Sequence, residues 1–288
     1  MFRRRIIINK QVNESHIRVR AALEDDFHHF RVEVVCTDGR VTSVDANGLR
    51  TPYSLCSQAA AKLDQLVGMS VTPVAHEVTR VTDANEQCTH MFELAGLAIA
   101  AAARSAMRRQ YDISVPMPVA GRTQPHLSRD GVPWLEWNVQ GTVIQGPAPY
   151  AGVDIYRGMA RWALGTLSTD EAEAALVLRR CTGISKGRGI KLDDQVHAMP
   201  NAHCFSQQPE RATLALRMIG STWDFTGTPE RLCASDAAWL DFEPVLRDRV
   251  GDGVAPVALS HHRTCGSAYG GSLNMLEASL GVQQRNQP

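Results

Sequence analysis

The chain has 288 residues, 44% of them hydrophobic and 21% charged, and its thirty basic side chains balance thirty acidic ones. That composition supports one large or two ordinary globular domains with a sizeable core and excludes a disordered chain. Zero net charge argues against nucleic acid as the main partner, because phosphate binding needs concentrated positive charge.

The first segment, "MFRRRIIINKQ", pairs basic residues with three isoleucines, too short an apolar stretch for a signal peptide, which needs about 7–15 apolar residues. "HIRVRAAL" (16–23) alternates Ile17, Val19 and Ala21 against His16, Arg18 and Arg20, the period of a half-buried strand. "HFRVEVVCTDGRVTSVDA" places Asp38-Gly39 between two β-rich runs, a hairpin signal. "SLCSQAAAKLDQLVGM" spaces Leu55, Ala59, Leu63 and Leu66 at helical intervals and stops at Gly68. A second helix is predicted from about Asn85 to Arg109, with Asp83 and Glu86 resembling a capping box. Its longest apolar run, Leu94 to Ala103, falls short of the roughly 18–20 residues that cross a bilayer.

The second half opens with "GRTQPHLSRDGVPWLEWNVQGTVIQ" (121–145), read as strands around an Asp130-Gly131 turn. In it Trp134, Glu136 and Asn138 alternate with Leu135, Trp137 and Val139. "VDIYRGMARWALGTLS" reads as a helix ending near Gly165. "TDEAEAALVLRRC" opens another, with Thr169 as its N-cap and acidic residues in the first turn. Hairpins followed by helices thus occur twice. Pro52-Tyr53 and Pro149-Tyr150 stand 97 residues apart, as do Gly68 and Gly165. The expectation is an α+β fold of two pseudo-repeated units, 1–110 and 111–245, packed as one body, with an irregular tail over 246–288. A ligand cleft is expected where the units meet.

Seven cysteines, at 36, 56, 88, 181, 204, 233 and 265, show no C-x-x-C spacing. Reduced thiols and a soluble, cytoplasmic protein without a membrane partner fit that pattern.

"QCTHMFELAG" (87–96) sets Cys88, Thr89 and His90 on the first turn of an apolar segment. Glu86, His90 and Glu93 fall at i, i+4 and i+7, so a carboxylate could poise His90 for acid–base work. The bland alternative is a first-turn histidine bonded to a neighbouring loop. Cys88 could be a nucleophile at a helix N-terminus, or a buried structural thiol. The absence of H-x-x-x-H and H-x-x-E-H patterns argues against a metal. Tyr53 and Tyr150, each after a proline, could donate a phenolic hydrogen bond to a ligand or simply seal a sheet–helix corner. "LRRCTGISKGRGIKLDD" gathers Arg179, Arg180, Lys186, Arg188 and Lys191 around three glycines. Such a loop could hold a carboxylate, phosphate or phenolate, or could be a solvated basic turn. No phosphate-loop or dinucleotide-binding glycine motif is present, so no nucleotide cofactor is expected. Pro209 and Glu210 start a short helix, and Arg211 could reach a cleft. Of Trp134 and Trp137, which face opposite sides, one belongs to the core and the other could line an aromatic pocket.

The C-T-H turn followed by Glu93-Leu94, together with "SLCSQAAAKLDQLVGMSV" and "HIRVRAAL", resembles a bacterial family of unknown function, the DUF2889 type, with the pattern C-T-H-x-x-E-L. The likeness spans most of residues 14–227. Asn85-Glu86-Gln87 departs from it, since glycines are usual before C-T-H. "LSRDGVPWLEW", "EAALVLRRC" and "QPERATLALRMIGSTWDFT" look like a subgroup from bacteria that degrade aromatic compounds. This resemblance implies a cofactor-independent lyase that opens a lignin-derived phenylcoumaran ring and releases formaldehyde. On that reading His90 is the catalytic base, held by Glu93 or Glu86, and Tyr53 or Tyr150 is the proton donor. Lys186 or Arg179 stabilises the anion, and Trp134, Trp137 and Arg211 help bind the small aromatic substrate. Isomerase, dehydratase and hydrolase chemistry use the same groups, and a non-catalytic ligand-binding subunit is the alternative of another class. A homodimer is allowed.

Overall fold

Alternation in the first fifty residues builds four long strands: β1 (Phe2–Val12), β2 (Ile17–Asp25), β3 (His29–Thr37) and β4 (Arg40–Arg50). They form an antiparallel meander, with Asp38 and Gly39 both at positive φ in the last turn. The structure, a computed structural model, describes residues 1–242. The tail predicted over 246–288 lies outside the described residues.

The helix expected from Asn85 is shorter and later. A single 3-10 turn, Ala84–Glu86, comes first, and α1 spans Thr89–Ala103. The Asp83 side chain accepts a bond from the Asn85 amide within that turn, while Glu86 pairs with Arg211 at 3.0 Å. The capping box therefore does not form, and Glu86 does not share a helical stripe with His90. Arg108 and Arg109 already belong to the next strand, β5 (Arg108–Val115). The segment expected as a helix from Ser54 is 3-10 helical over Cys56–Leu66, burying Cys56, Ala59, Leu63 and Leu66.

Next come β6 (Arg122–Thr123), β7 (His126–Arg129), β8 (Val132–Glu136), β9 (Asn138–Gln140) and β10 (Val143–Gly146). Strands β5, β7 and β8 continue the first sheet through β1, giving the order β4-β3-β2-β1-β5-β7-β8. Strands β10, β9 and β6 form a separate three-stranded sheet. Hairpins followed by helices therefore recur in unequal form, within one mixed, antiparallel α+β body. Helix α2 covers Met159–Thr166 and α3 covers Thr169–Ile184. The N-cap of α3 is Ser168 rather than Thr169, because Glu171 completes a capping box with it. Two short helices, α4 (Pro209–Ala212) and α5 (Ala237–Leu240), follow. Among the described residues no helix is long and apolar enough to cross a membrane.

Helix α1 is apolar on all sides because it is covered on all sides. Met91, Leu94, Ala95, Ala98 and Ile99 sit in the main core with Ile6, Ile8, Leu23 and Phe30 of the sheet. On the opposite sheet face, Ile7 and Ala22 pack against Cys233 and Leu240. Gly96 marks the closest approach. A Cβ there would lie 2.5 Å from the Ala75 carbonyl oxygen, in the 3-10 segment Ala75–Arg80. Gly96→Ala is therefore expected to destabilise the fold by roughly 1–3 kcal/mol through overpacking. Helix propensity alone would give a gain of about 1 kcal/mol. Urea unfolding decides, since a more stable variant would mean that α1 and this segment are not in contact.

Candidate active site

The β2–β3 connection is a tight turn, Asp25-Asp26-Phe27-His28, closed by the Asp25 amide donating to the His28 carbonyl at 2.8 Å. The Asp25 side chain organises the turn from inside. Its Oδ1 accepts from the amides of Phe27 (2.7 Å) and His28 (2.8 Å), an Asx-type arrangement. Asp25 lies directly opposite Arg4 in the β1–β2 register. Arg4 donates to Oδ2 through Nε (2.9 Å) and Nη2, and both side chains are fully buried. Arg50 closes the turn from outside, donating to the carbonyls of Asp25 (2.6 Å), Asp26 (3.2 Å) and His28 (3.3 Å).

His28 Nδ1 stands 3.0 Å from Asp25 Oδ1. An ionised carboxylate only accepts, so Nδ1 carries the proton and Nε2 keeps the free lone pair. Burial pushes the Asp25 carboxyl upwards. The His28 ring, which donates a hydrogen bond and adds a positive charge when protonated, and the charge of Arg4 outweigh it and hold the group well below its usual range. His90, from the first turn of α1, lays its ring over His28 with centroids 3.9 Å apart, and Phe30 flanks His90 at 5.9 Å. Burial, followed by repulsion from His28 whenever that ring is protonated and from Arg4, lowers the His90 pKa well below its ordinary value, so the His90 ring is neutral at neutral pH. Its Nε2 is buried without a hydrogen-bond partner among the described residues. Beside them Asp26 accepts no well-formed hydrogen bond among the described residues, and burial pushes its carboxyl up to about 7. Arg188 Nε is 3.4 Å from its Oδ2.

His28 and His90 form part of the wall of a cavity of about 570 Å³. Phe27, Phe30, Tyr53 and Tyr156 give it an aromatic lining, and Cys56, Cys88 and Cys204 add thiols. The C-terminal end of α3 and the following 3-10 turn bring Arg179, Arg180 and Lys186 to it. No aspartate or glutamate is among these lining residues. Lys186 lies over the Tyr156 ring at 4.5 Å. Arg179 donates its Nε to the Ile155 carbonyl at 2.6 Å, and neither cation has a carboxylate partner among the described residues. Gly187 lets this turn rest on Phe27, whose ring lies 3.0 Å from where a Cβ would be. The cavity thus combines apolar walls, the imidazoles of His28, His90 and His203, phenols and unpaired cations, a combination suited to a small aromatic molecule with acidic oxygens.

Of the residues singled out from sequence, His90, Tyr53, Cys88, Lys186, Arg179 and Arg180 meet at this cavity. The others lie elsewhere. Glu93 points away from His90, to Arg180 (3.0 Å) and Arg4 (3.5 Å), and lines a separate cavity of about 70 Å³. Tyr150 packs between Trp137 (5.6 Å) and Trp162 (5.5 Å) in the apolar core. Trp137 is fully buried, while Trp134 is exposed under the Arg129 guanidinium. Arg211 holds Glu86 and stacks on Phe205 at 4.2 Å. Cys88 is buried and its thiol is pushed upward by burial, which disfavours the thiolate that a nucleophile requires.

Residues absent from the sequence reading are Asp25 and His28. The available signal was the stretch Glu24 to His29, in which five of six side chains are ionisable between two apolar strands. One oxygen of Asp25 and one ring nitrogen from each of His28 and His90 lie within 4.8 Å of one another, the grouping of a metal-binding cluster.

Residues 8–104 match the family described as "Protein of unknown function (DUF2889)". This part of the chain is similar to a DUF2889-type domain. It carries Asp25, His28, Tyr53, Cys88 and His90, whereas Arg179, Arg180 and Lys186 come from beyond it. No curated protein matches the chain.

The buried pair yields an asymmetric expectation. Arg4→Met leaves the Asp25 carboxylate uncompensated and should lower stability by about 3–5 kcal/mol. Arg4→Met/Asp25→Leu, which removes both charges, should recover part of that loss, the rest being held back by the turn amides of Phe27 and His28, which lose their acceptor. A double-mutant cycle by urea unfolding measures the coupling, and strictly additive single effects would mean that the two charges do not depend on each other.

Proposed function

We propose that the chain is a lyase that cleaves a small phenolic substrate of the phenylcoumaran type by general acid–base elimination. The observation that carries this reading is the Asp25-fixed His28 stacked on His90 in the wall of an aromatic cavity that also presents unpaired cations. The imidazole pair takes the proton of a primary hydroxyl. The C–C bond to that carbon breaks, releasing formaldehyde, and its electron pair becomes the new C=C bond. The aryl ether C–O bond breaks in turn, and its electrons leave on the phenolate. Lys186 or Arg179 offsets the phenolate charge, and Tyr53 supplies a proton to the leaving oxygen. Burial raises the Tyr53 pKa, which keeps the phenol protonated and able to donate. Substrate and products balance without any redox step.

Glu93 has no place in this scheme, since its partners are arginines. Tyr150, Trp134, Trp137 and Arg211 likewise leave the reaction to the cavity residues. The test is a formaldehyde assay on chelator-treated protein with a phenylcoumaran alcohol. Formaldehyde and a stilbene chromophore should appear together, and His90→Ala and His28→Ala should each slow the reaction about 10²–10⁴-fold, the range for general acid–base groups. No product from the wild type would overturn the lyase reading. Saturable binding of the same compound without turnover would favour a ligand-binding subunit.

A further inference from the structure

We propose that Asp25, His28 and His90 form a site for one divalent transition-metal ion of the zinc class, and that its occupancy excludes the use of these imidazoles as bases. The inference goes beyond the lyase reading and does not rest on it. Three observations carry it. The three side chains each offer a ligand atom within 4.8 Å of the others. Asp25 and His90 are more than nine-tenths buried and His28 is largely so, and His90 Nε2 has no hydrogen-bond partner among the described residues, so a buried nitrogen is left unsatisfied. Both histidines border the cavity, which leaves room for water or a ligand oxygen on the ion.

The donor set selects the metal. Two imidazoles and one carboxylate, without a thiolate, suit zinc, cobalt or ferrous iron better than calcium or magnesium. Bonds of about 2.0–2.2 Å place tetrahedral ligand atoms roughly 3.3 Å apart, so small side-chain rotations close the set. Asp25 Oδ2 stays with Arg4, and Oδ1 exchanges its bond from His28 Nδ1 for the ion. Coordination through Nδ1 moves the ring proton of His28 to Nε2, with no net proton released. Arg4 and Arg180 are already balanced by Asp25 and Glu93, so the charge of the ion is offset by an anionic ligand on its open side.

The experiment is a titration of chelator-treated, full-length protein with Co²⁺, followed by its visible d–d bands, and with Zn²⁺, followed by calorimetry and by the imidazole NMR signals of His28 and His90. The expected result is one equivalent bound, with both histidines shifting together in the wild type. His28→Gln and His90→Gln should each weaken binding at least tenfold, and Cys88→Ser should leave it unchanged. No saturable cobalt band would overturn the proposal. So would a near-ultraviolet thiolate charge-transfer band, which would mark a cysteine site, or zinc binding that leaves both histidine signals in place. The wild-type spectra decide the matter even where a variant fails to fold. Formaldehyde release by the metal-free protein, measured separately, reports on the lyase reading, and there added Zn²⁺ should suppress turnover in proportion to occupancy.

Discussion

A buried ion pair between neighbouring strands is the constraint on which the site depends. Arg4 of β1 and Asp25 of β2 are register partners, and neither is exposed to solvent. Taking two charges out of water costs several kcal/mol per ion, so the pair persists only with good geometry and further hydrogen bonds. Asp25 meets that demand by accepting from two turn amides and from His28 as well as from Arg4. The bonds that stabilise the carboxylate also shape the turn and fix the tautomer of His28. Stability and positioning therefore have one origin, and removing the charge at residue 25 would alter both.

The second element of the site is imposed from the other layer. Helix α1 must cover the sheet with an apolar surface, and its first turn ends over the β2–β3 turn. That is why His90 lands on His28 rather than beside Glu93 of its own helix. Glu93, one turn further along, is drawn to Arg4 and Arg180. Its pairing with Arg4 ties α1 to β1 at the same point where Asp25 ties β2 to β1. The cations at the cavity come from a different part of the chain, the end of α3, and the close packing of Gly187 on Phe27 sets their turn against the β2–β3 connection.

Much of the fold was legible in the sequence because it is written in nearest-neighbour patterns. Alternation marked β2 and the β8–β9 stretch, where Leu135, Trp137 and Val139 are buried between exposed neighbours. Asp-Gly pairs marked two hairpin turns. Helical spacing of Leu55, Ala59, Leu63 and Leu66 correctly marked a buried face, but such spacing does not separate a 3-10 segment from an α-helix. The start of α1 was misplaced because Asp83 and Glu86 find other partners. Asp83 bonds within a preceding turn, and Glu86 bonds to Arg211, far along the chain. The site was half legible for the same reason. His90, Tyr53, Lys186 and Arg179 stand out as chemistry in local context. Asp25 and His28 read locally as turn residues, and only the strand register that brings Arg4 to Asp25 gives them a different meaning.

The most direct measurement is the tautomeric state of His28, read from long-range ¹H–¹⁵N correlation spectra of metal-free protein, wild type and Asp25→Asn. The expected result is a protonated Nδ1 and an unprotonated Nε2 in the wild type, with that preference weakened in the variant. A wild-type His28 protonated on Nε2, or spectra unchanged by Asp25→Asn, would contradict the claim that the buried carboxylate organises the site.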